Sequence, residues 1–346
     1  MTIRQECKAI VLQYFEELES ASPGDLAAVI EKNTNANYRF RGVHPFNELE
    51  GADAVAESVW QPLGSAFTSL QRRQDIFMAG PNLIDGNMWV TSMGKFMGLF
   101  DSNWLGIRPT GKIAMIPYCE FHRIEEGKIA ESALWVDIIS VMKQSGYNPL
   151  PMQTAAEIIN PGPRTADGVM LDASDEVESQ KTLDLIMQMC NDLVGDGMNS
   201  DDSALADTWH DDMLWFGPSG IGATYTIDRY QEQHQGPFNA GLNNIEFNGH
   251  ILDHAEGNYG GWFGWPNLRM NQGDGFLGLP ASDAPTEMRV VDIYRRDGDK
   301  LAENWVFIDL LHYLLLLGVD VLERCQIIDS NTHRPITQKT KKASSG

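Results

Sequence analysis

The sequence predicts an α+β protein: two tandem cone-shaped α+β barrels, each a curved antiparallel sheet wrapped around helices. Three observations point there. An ordered repeat runs through the chain, helical periodicity precedes strand periodicity in each copy, and a proline-rich stretch separates the copies. A chain of 346 residues with 42% hydrophobic content can bury a core in each of two domains.

The repeat begins in the first helix. Ile3, Cys7, Ile10, Val11, Tyr14, Phe15 and Leu18 make one stripe of a 3.6-residue period. At an offset of 175 residues, Thr182, Ile186, Met189, Cys190 and Leu193 take the places of Cys7, Val11, Tyr14, Phe15 and Leu18. The same offset pairs Phe40 with Trp215, Gly42 with Gly217, Asp53 with Asp228 and Pro62 with Pro237. Further on the offset is 172, matching Leu105-Gly106-Ile107 with Leu277-Gly278-Leu279, Arg123 with Arg295, Asp137 with Asp309 and Gly146 with Gly318. The first copy therefore holds three extra residues between about Phe67 and Ile84. The expected domains are 1–147 and 175–322, joined by a linker over 148–174 and followed by a polar, then basic tail over 323–346. Pro149, Pro151, Pro161 and Pro163 resist both helix and ladder, which makes the linker semi-rigid.

Within each copy the order reads helix, second helix, short strand, further helix, long strands and a closing helix. Asp25 or Gly24 suits a cap for the second helix, ahead of Leu26–Ile30. Ala114–Arg123 alternates in places, turns at Glu125-Glu126-Gly127-Lys128 and returns over Ile129–Val136 as a hairpin. Its counterpart turns at Arg296-Asp297-Gly298-Asp299. A bent sheet around a helix leaves a conical cavity with an open mouth.

A formal net charge of -22 repels phosphate backbones and anionic lipid, which argues against nucleic-acid and membrane partners. Cys7, Cys119, Cys190 and Cys325 lack metal or redox spacing, and the apolar run Tyr313–Val319 is too short to span a bilayer. Met1–Glu6 does not read as a signal peptide. The expectation is a soluble, cytoplasmic protein.

The stretch Thr110-Gly111-Lys112, Phe121-His122-Arg123-Ile124, Gly127–Glu131 and Asp137 resembles the closing half of SnoaL-like proteins, of the nuclear-transport-factor-like superfamily. Asp85-Gly86-Asn87 and Gly94–Gly98 resemble that family's central hairpin, and Glu256-Gly257-Asn258, Gly275–Pro280 and Asp297–Asp309 supply the second copy. The resemblance covers roughly residues 4–147 and 175–322. It implies a cofactor-independent, metal-free polyketide cyclase or isomerase that moves a proton beside a carbonyl in an apolar cavity. It also leaves open a non-catalytic ligand-binding or assembly module, because related folds host both. The implied ligand is a small hydrophobic or aromatic carbonyl compound. The superfamily's dimers suggest that the copies pair through their sheet faces, within one chain or between two.

By the same resemblance, Asp137 takes the acid/base position. Strand alternation places Tyr118, Glu120 and His122 on one face, and an Asp137–His122 couple could handle protons. In the second copy the set is Asp309 and Tyr294, with Asp292 replacing Glu120. Both Asp137 and Asp309 also immediately precede the last helix of their copy, where aspartate is a favoured cap. Tyr38, Phe40, Arg41, Trp60, Trp89, Tyr118, Glu120 and Trp135 are candidate substrate contacts in the first copy, and Trp215, His234 and Trp262 in the second. The Gly273–Gly278 run lacks the strand-then-helix setting of a dinucleotide site, and His250 with His254 lacks a third metal ligand. A mixed arrangement, one working copy and one structural partner, is the third expectation.

Overall fold

The computed structural model describes residues 2–151 and 153–331. In the first copy, α1 (Ile3–Ser20) opens on a capping box between Thr2 and Gln5 and is followed by α2 (Leu26–Asn33), β1 (Thr34–Gly42) and β2 (Asn47–Glu50). Next come α3 (Ala52–Val55), a π-helical turn over Ala56–Trp60, and α4 (Gln61–Ala66). The long strands β3 (Phe67–Pro81), β4 (Met88–Phe100), β5 (Ile113–Glu125) and β6 (Lys128–Val136) then lead to α5 (Ile138–Gln144). The sheet order is β2-β1-β6-β5-β4-β3.

The second copy repeats every step. It runs α6 (Glu176–Gly195), α7 (Asp202–Thr208), β7 (Trp209–Phe216), β8 (Ala223–Tyr225), α8 (Ile227–Tyr230), a π-helical turn over Gln231–Gln235, and α9 (Gly236–Gly241). Then follow β9 (Asn243–Phe247), β10 (Leu252–Glu256), β11 (Tyr259–Gln272), β12 (Ser282–Asp297), β13 (Lys300–Ile308) and α10 (Leu310–Leu316). Its sheet order, β8-β7-β13-β12-β11-β10 with β9 also on β11, is that of the first copy with β3 divided in two. Where β3 runs unbroken through a register shift between Gln74 and Ile76, the second copy breaks off at Phe247 and resumes at Leu252; its shortening lies in the turn that follows, Gly257-Asn258 between β10 and β11.

Two expectations are corrected. Neither sheet closes into a barrel, since the edge strands of each do not pair with one another. The segment from 323 does not start as a tail: α11 (Val321–Asn331) buries Val321, Leu322 and Cys325. Those three apolar residues share one helical face among polar neighbours, too sparse a stripe to stand out in the sequence. The expected basic tail over 332–346 lies outside the described residues. No described helix is long and apolar enough to cross a membrane.

The copies meet through the outer faces of their sheets. Phe121 lies 4.7 Å from Phe263 between ring centroids, Trp135 lies 5.3 Å from Phe263 and 5.4 Å from Trp265, and Trp89 lies 5.6 Å from Phe263. Buried charges cross the same seam: Lys8 Nζ donates to Glu256 at 2.7 Å, and Arg4 donates to the Ala255 carbonyl at 2.8 Å. The linker is packed as well, for the Trp305 indole donates to Pro161 O at 2.8 Å and Ala156 bridges Ala223.

The two closing aspartates form a matched pair of bridges. Asp137 caps α5 through the Ser140 amide at 2.8 Å and accepts the Ser219 amide of the other copy at 2.8 Å. Asp309 caps α10 through the His312 amide at 3.1 Å and accepts the His44 amide of the first copy at 2.9 Å. His44 and Ser219 are themselves related by the 175-residue offset, so each bridge is the image of the other. Losing either carboxylate removes a cap and strands a buried amide. Asp137→Ala is therefore expected to lower unfolding stability by roughly 2–4 kcal/mol, read from urea titration. Asp309→Ala should lose more, because Arg289, 3.2 Å from Asp309, is left without its carboxylate. Unchanged urea midpoints would show that the bridges carry no stability.

Candidate functional site

Strand alternation decides which side chains reach each cup. In the register of β5 and β6, His122 faces Ser132, and the two share a hydrogen bond of 2.8 Å between Nδ1 and Oγ. Tyr118, Glu120 and His122 therefore point into the first cup with Ser132, while Glu131, Ala133 and Trp135 point away. Asp137 follows the outward set and is drawn to the seam between the copies. The structure does not bring Asp137 and His122 together, and Asp309 lies at the equivalent place, equally outside its cup. Burial pushes the Asp137 carboxyl up to about 6 against the two amides that it accepts, and burial also raises Asp309. Trp89 and Trp135 sit on the outer face against Phe263 for the same alternation reason, and Arg41 is also outside, paired with Glu131 and Glu48.

The first cup is full. Arg72, only 4% exposed, reaches in from β3 and donates to Glu120 at 2.5 Å. Its guanidinium lies 3.6 Å from the Phe15 ring, 4.8 Å from Phe96, 5.1 Å from Tyr118 and 5.8 Å from Trp60. Tyr118 stacks on Phe96 at 4.3 Å and shares a 2.9 Å hydrogen bond with Ser92. His122 is packed edge-on against Tyr14 and Phe15, and burial lowers it to about 4. Tyr38 is buried, and Phe40, beside Ser132 in the register, shares the cup face. The Arg72–Glu120, Tyr118–Ser92 and His122–Ser132 pairs satisfy one another, the Trp60 indole Nε1 has no hydrogen-bond partner among the described residues, and aromatic rings line the interior.

The second cup is open. The repeat offsets put Met189 where Tyr14 stands, Cys190 for Phe15, Gln235 for Trp60, Leu268 for Phe96 and Val290 for Tyr118. All five replacements are smaller, and all five line a cavity of about 120 Å³. That is close to the volume that holds a benzene-sized guest in an engineered apolar cavity. Exposed Val194 and Phe247 mark its mouth. Trp215, Tyr230, His234, Trp262 and Tyr294 form much of the wall, with His234 stacked on Trp215 at 3.9 Å. Four of the residues singled out from the sequence, Trp215, His234, Trp262 and Tyr294, thus meet in one cavity.

Asp292, on β12, is the group that the sequence reasoning passed over in favour of Asp309. It occupies the place of Glu120, but the place of Arg72 holds an uncharged side chain: Phe96 pairs with Arg72, and its counterpart Leu268 pairs with Phe247. No lysine or arginine lines the cavity among the described residues. Burial without a counter-cation pushes Asp292 up to about 7, tempered by hydrogen bonds from Asn304, at 2.9 Å, and Tyr294. A second couple sits on the adjacent wall. His250 stacks on Trp262 at 4.2 Å, and its Nδ1 is 2.6 Å from Asp253. His254 diverges from His250 and reaches Thr91 of the other copy at 2.7 Å. The signal for Asp292 was present in the repeat; the signal for His250 was hidden by its position in the break between β9 and β10.

Residues 13–145 match the model of the SnoaL-like polyketide cyclase family. The match falls within the first copy. The second copy repeats the strand order of the first. Among solved structures, the chain is similar to a candidate SnoaL-like polyketide cyclase from Jannaschia sp. CCS1, at 20% identity over 43% of this chain and 97% of that one, with a TM-score of 0.34. It is also similar to AclR, a candidate hydroxylase from Streptomyces galilaeus, at 21% identity over 41% and 96% with a TM-score of 0.34. IdmH from Streptomyces antibioticus, a candidate polyketide cyclase, matches at 16% identity over 40% and 97% with a TM-score of 0.31. No curated protein matches the chain.

The raised Asp292 carboxyl has a consequence for stability. Between about pH 4 and 7 the unfolded chain ionises this residue while the folded chain does not, so its contribution is fully present below about pH 4 and is lost as pH rises through about 7. The loss is on the order of 4 kcal/mol. Asp292→Asn keeps the shape and cannot ionise. Its thermal stability relative to the native protein should therefore rise from pH 4 to 7 and level off above. Parallel pH profiles for the two proteins would contradict the assignment.

Proposed function

We propose that the second SnoaL-like copy is the working cup and the first its structural partner. The observation that carries this is the contrast at one position: Glu120 is neutralised by Arg72 inside a filled cup, whereas Asp292 stands without a cation beside a cavity. The favoured reading is proton transfer beside a carbonyl on a small, largely apolar or aromatic compound, the chemistry of the polyketide cyclase and isomerase type. A carboxylic acid poised near neutrality suits both directions of that transfer. Asp292 in its ionised form takes the proton from the carbon next to the carbonyl. Tyr294 turns its hydroxyl hydrogen from Asp292 to the oxygen that becomes an enolate, and Asp292 returns the proton to complete an isomerisation or to follow ring closure. Apolar walls from Leu268, Met288, Val290 and Val306 exclude water and keep the carboxyl reactive. Neither organic cofactor nor metal takes part in this scheme.

Enolisation needs no knowledge of the native substrate to be measured. In D2O at neutral pD, the protein should accelerate deuterium uptake beside the carbonyl of 2-tetralone, followed by NMR. Asp292→Asn should reduce the protein-dependent rate by about 10²- to 10⁴-fold. The double substitution Arg72→Met with Glu120→Leu, which replaces the ion pair of the first cup by apolar side chains, should leave it unchanged. Equal rates for Asp292→Asn and the native protein would end the catalytic reading and leave a ligand-binding module.

A further inference from the structure

The π-helical turns of the two copies end on counterpart residues, Trp60 and Gln235. Such turns recur at functional sites because the extra residue turns one side chain out of helical phase. In the first copy that side chain is an indole, packed edge-on against Phe96 at 6.0 Å. In the second it is an amide, 4% exposed, on the wall of the open cavity. Its Nε2 donates to the Ser200 carbonyl at 2.9 Å, and this fixes the amide: a flipped side chain would set its oxygen against that carbonyl. Oε1 is then buried without a hydrogen-bond partner among the described residues.

Asn267 presents a second such oxygen. It is 2% exposed, lines the same cavity, and its Oδ1 is also without a partner. A bulge in β11 between Gly264 and Leu268 positions it. A Cβ on Gly264 would come within 2.0 Å of the Asn267 Cβ, so only glycine allows the bulge to fold back so tightly.

A buried acceptor left unpaired is costly, and a site built around one discriminates strongly against ligands that cannot satisfy it. The cavity also offers no cation to a carboxylate or phosphate. We infer that the ligand of the second cup is uncharged and carries a hydroxyl or N–H donor that binds Gln235 Oε1, with Asn267 Oδ1 as a second acceptor. Gln235 is thereby a specificity-determining residue. The inference rests on the second cup being the occupied one; it does not depend on Asp292 moving a proton.

Dissociation constants for 2-tetralone and its 5-, 6- and 7-hydroxy derivatives, read on the full chain from quenching of the tryptophan fluorescence, test it. At least one hydroxylated ketone should bind about ten- to hundredfold more tightly than 2-tetralone. In Gln235→Met that preference should fall to within about twofold, while binding of 2-tetralone itself holds or improves. Asn267→Leu reads the second acceptor, and Gln235→Leu serves if Gln235→Met does not fold. Equal binding of all four ketones, or a preference that survives in the Gln235 variants, overturns the inference. Enolisation that depends on Asp292 without any hydroxyl preference would refute this inference alone, and a hydroxyl preference without enolisation would refute the catalytic reading alone. Absence of binding by every ketone would overturn both.

Discussion

A carboxylate taken out of water must be neutralised by a cation or by a proton, and the two copies resolve that demand in opposite ways. In the first, a long continuous β3 carries Arg72 to Glu120, and an ion pair surrounded by aromatic rings fills the interior. In the second, the same floor position is Asp292, the strand is divided, and Phe247 stands where the arginine would be. Removing the cation and shrinking five neighbouring side chains act together. The first change leaves an acid whose proton is held loosely near neutral pH, and the second leaves room for something to exchange it with.

An open cavity destabilises the fold around it. A void of this size corresponds to roughly 3 kcal/mol of lost packing when compared with engineered cavities. The arrangement of the chain supplies an offset. The outer sheet faces are sealed against each other by Phe121, Trp135, Phe263 and Trp265, and the matched bridges of Asp137 and Asp309 tie each closing helix to the opposite copy. A densely packed first copy thus supports a hollow second one.

Much of this was legible in the sequence. The offset series showed the duplication, and with it the order of helices and strands, because apolar periodicity survives divergence in individual residues. That Tyr118, Glu120 and His122 share one face also followed from alternation. What alternation could not supply was which face looks inward: it groups Asp137 with Glu131, Ala133 and Trp135, and that whole face turns to the seam, where the cap holds Asp137. The aromatic candidates divided for a related reason, since Trp89 and Trp135 are as apolar as Trp60 and only the register tells seam from cup. The open cavity itself was written in the paired list of residues, but only when the copies are compared side chain by side chain for volume as well as for kind. His250 was invisible to that comparison because it lies in the break between β9 and β10.

The packed linker over 148–174 makes the duplication covalent, and that has a consequence for how such a protein can change. In an assembly of two identical subunits, any substitution appears twice, so hollowing one pocket hollows its mate and doubles the structural penalty. Here each half is encoded separately, and a residue such as Trp60 can stay while its image Gln235 drifts. Division of labour between scaffold and receptor becomes available at the level of a single gene product, without asymmetric assembly.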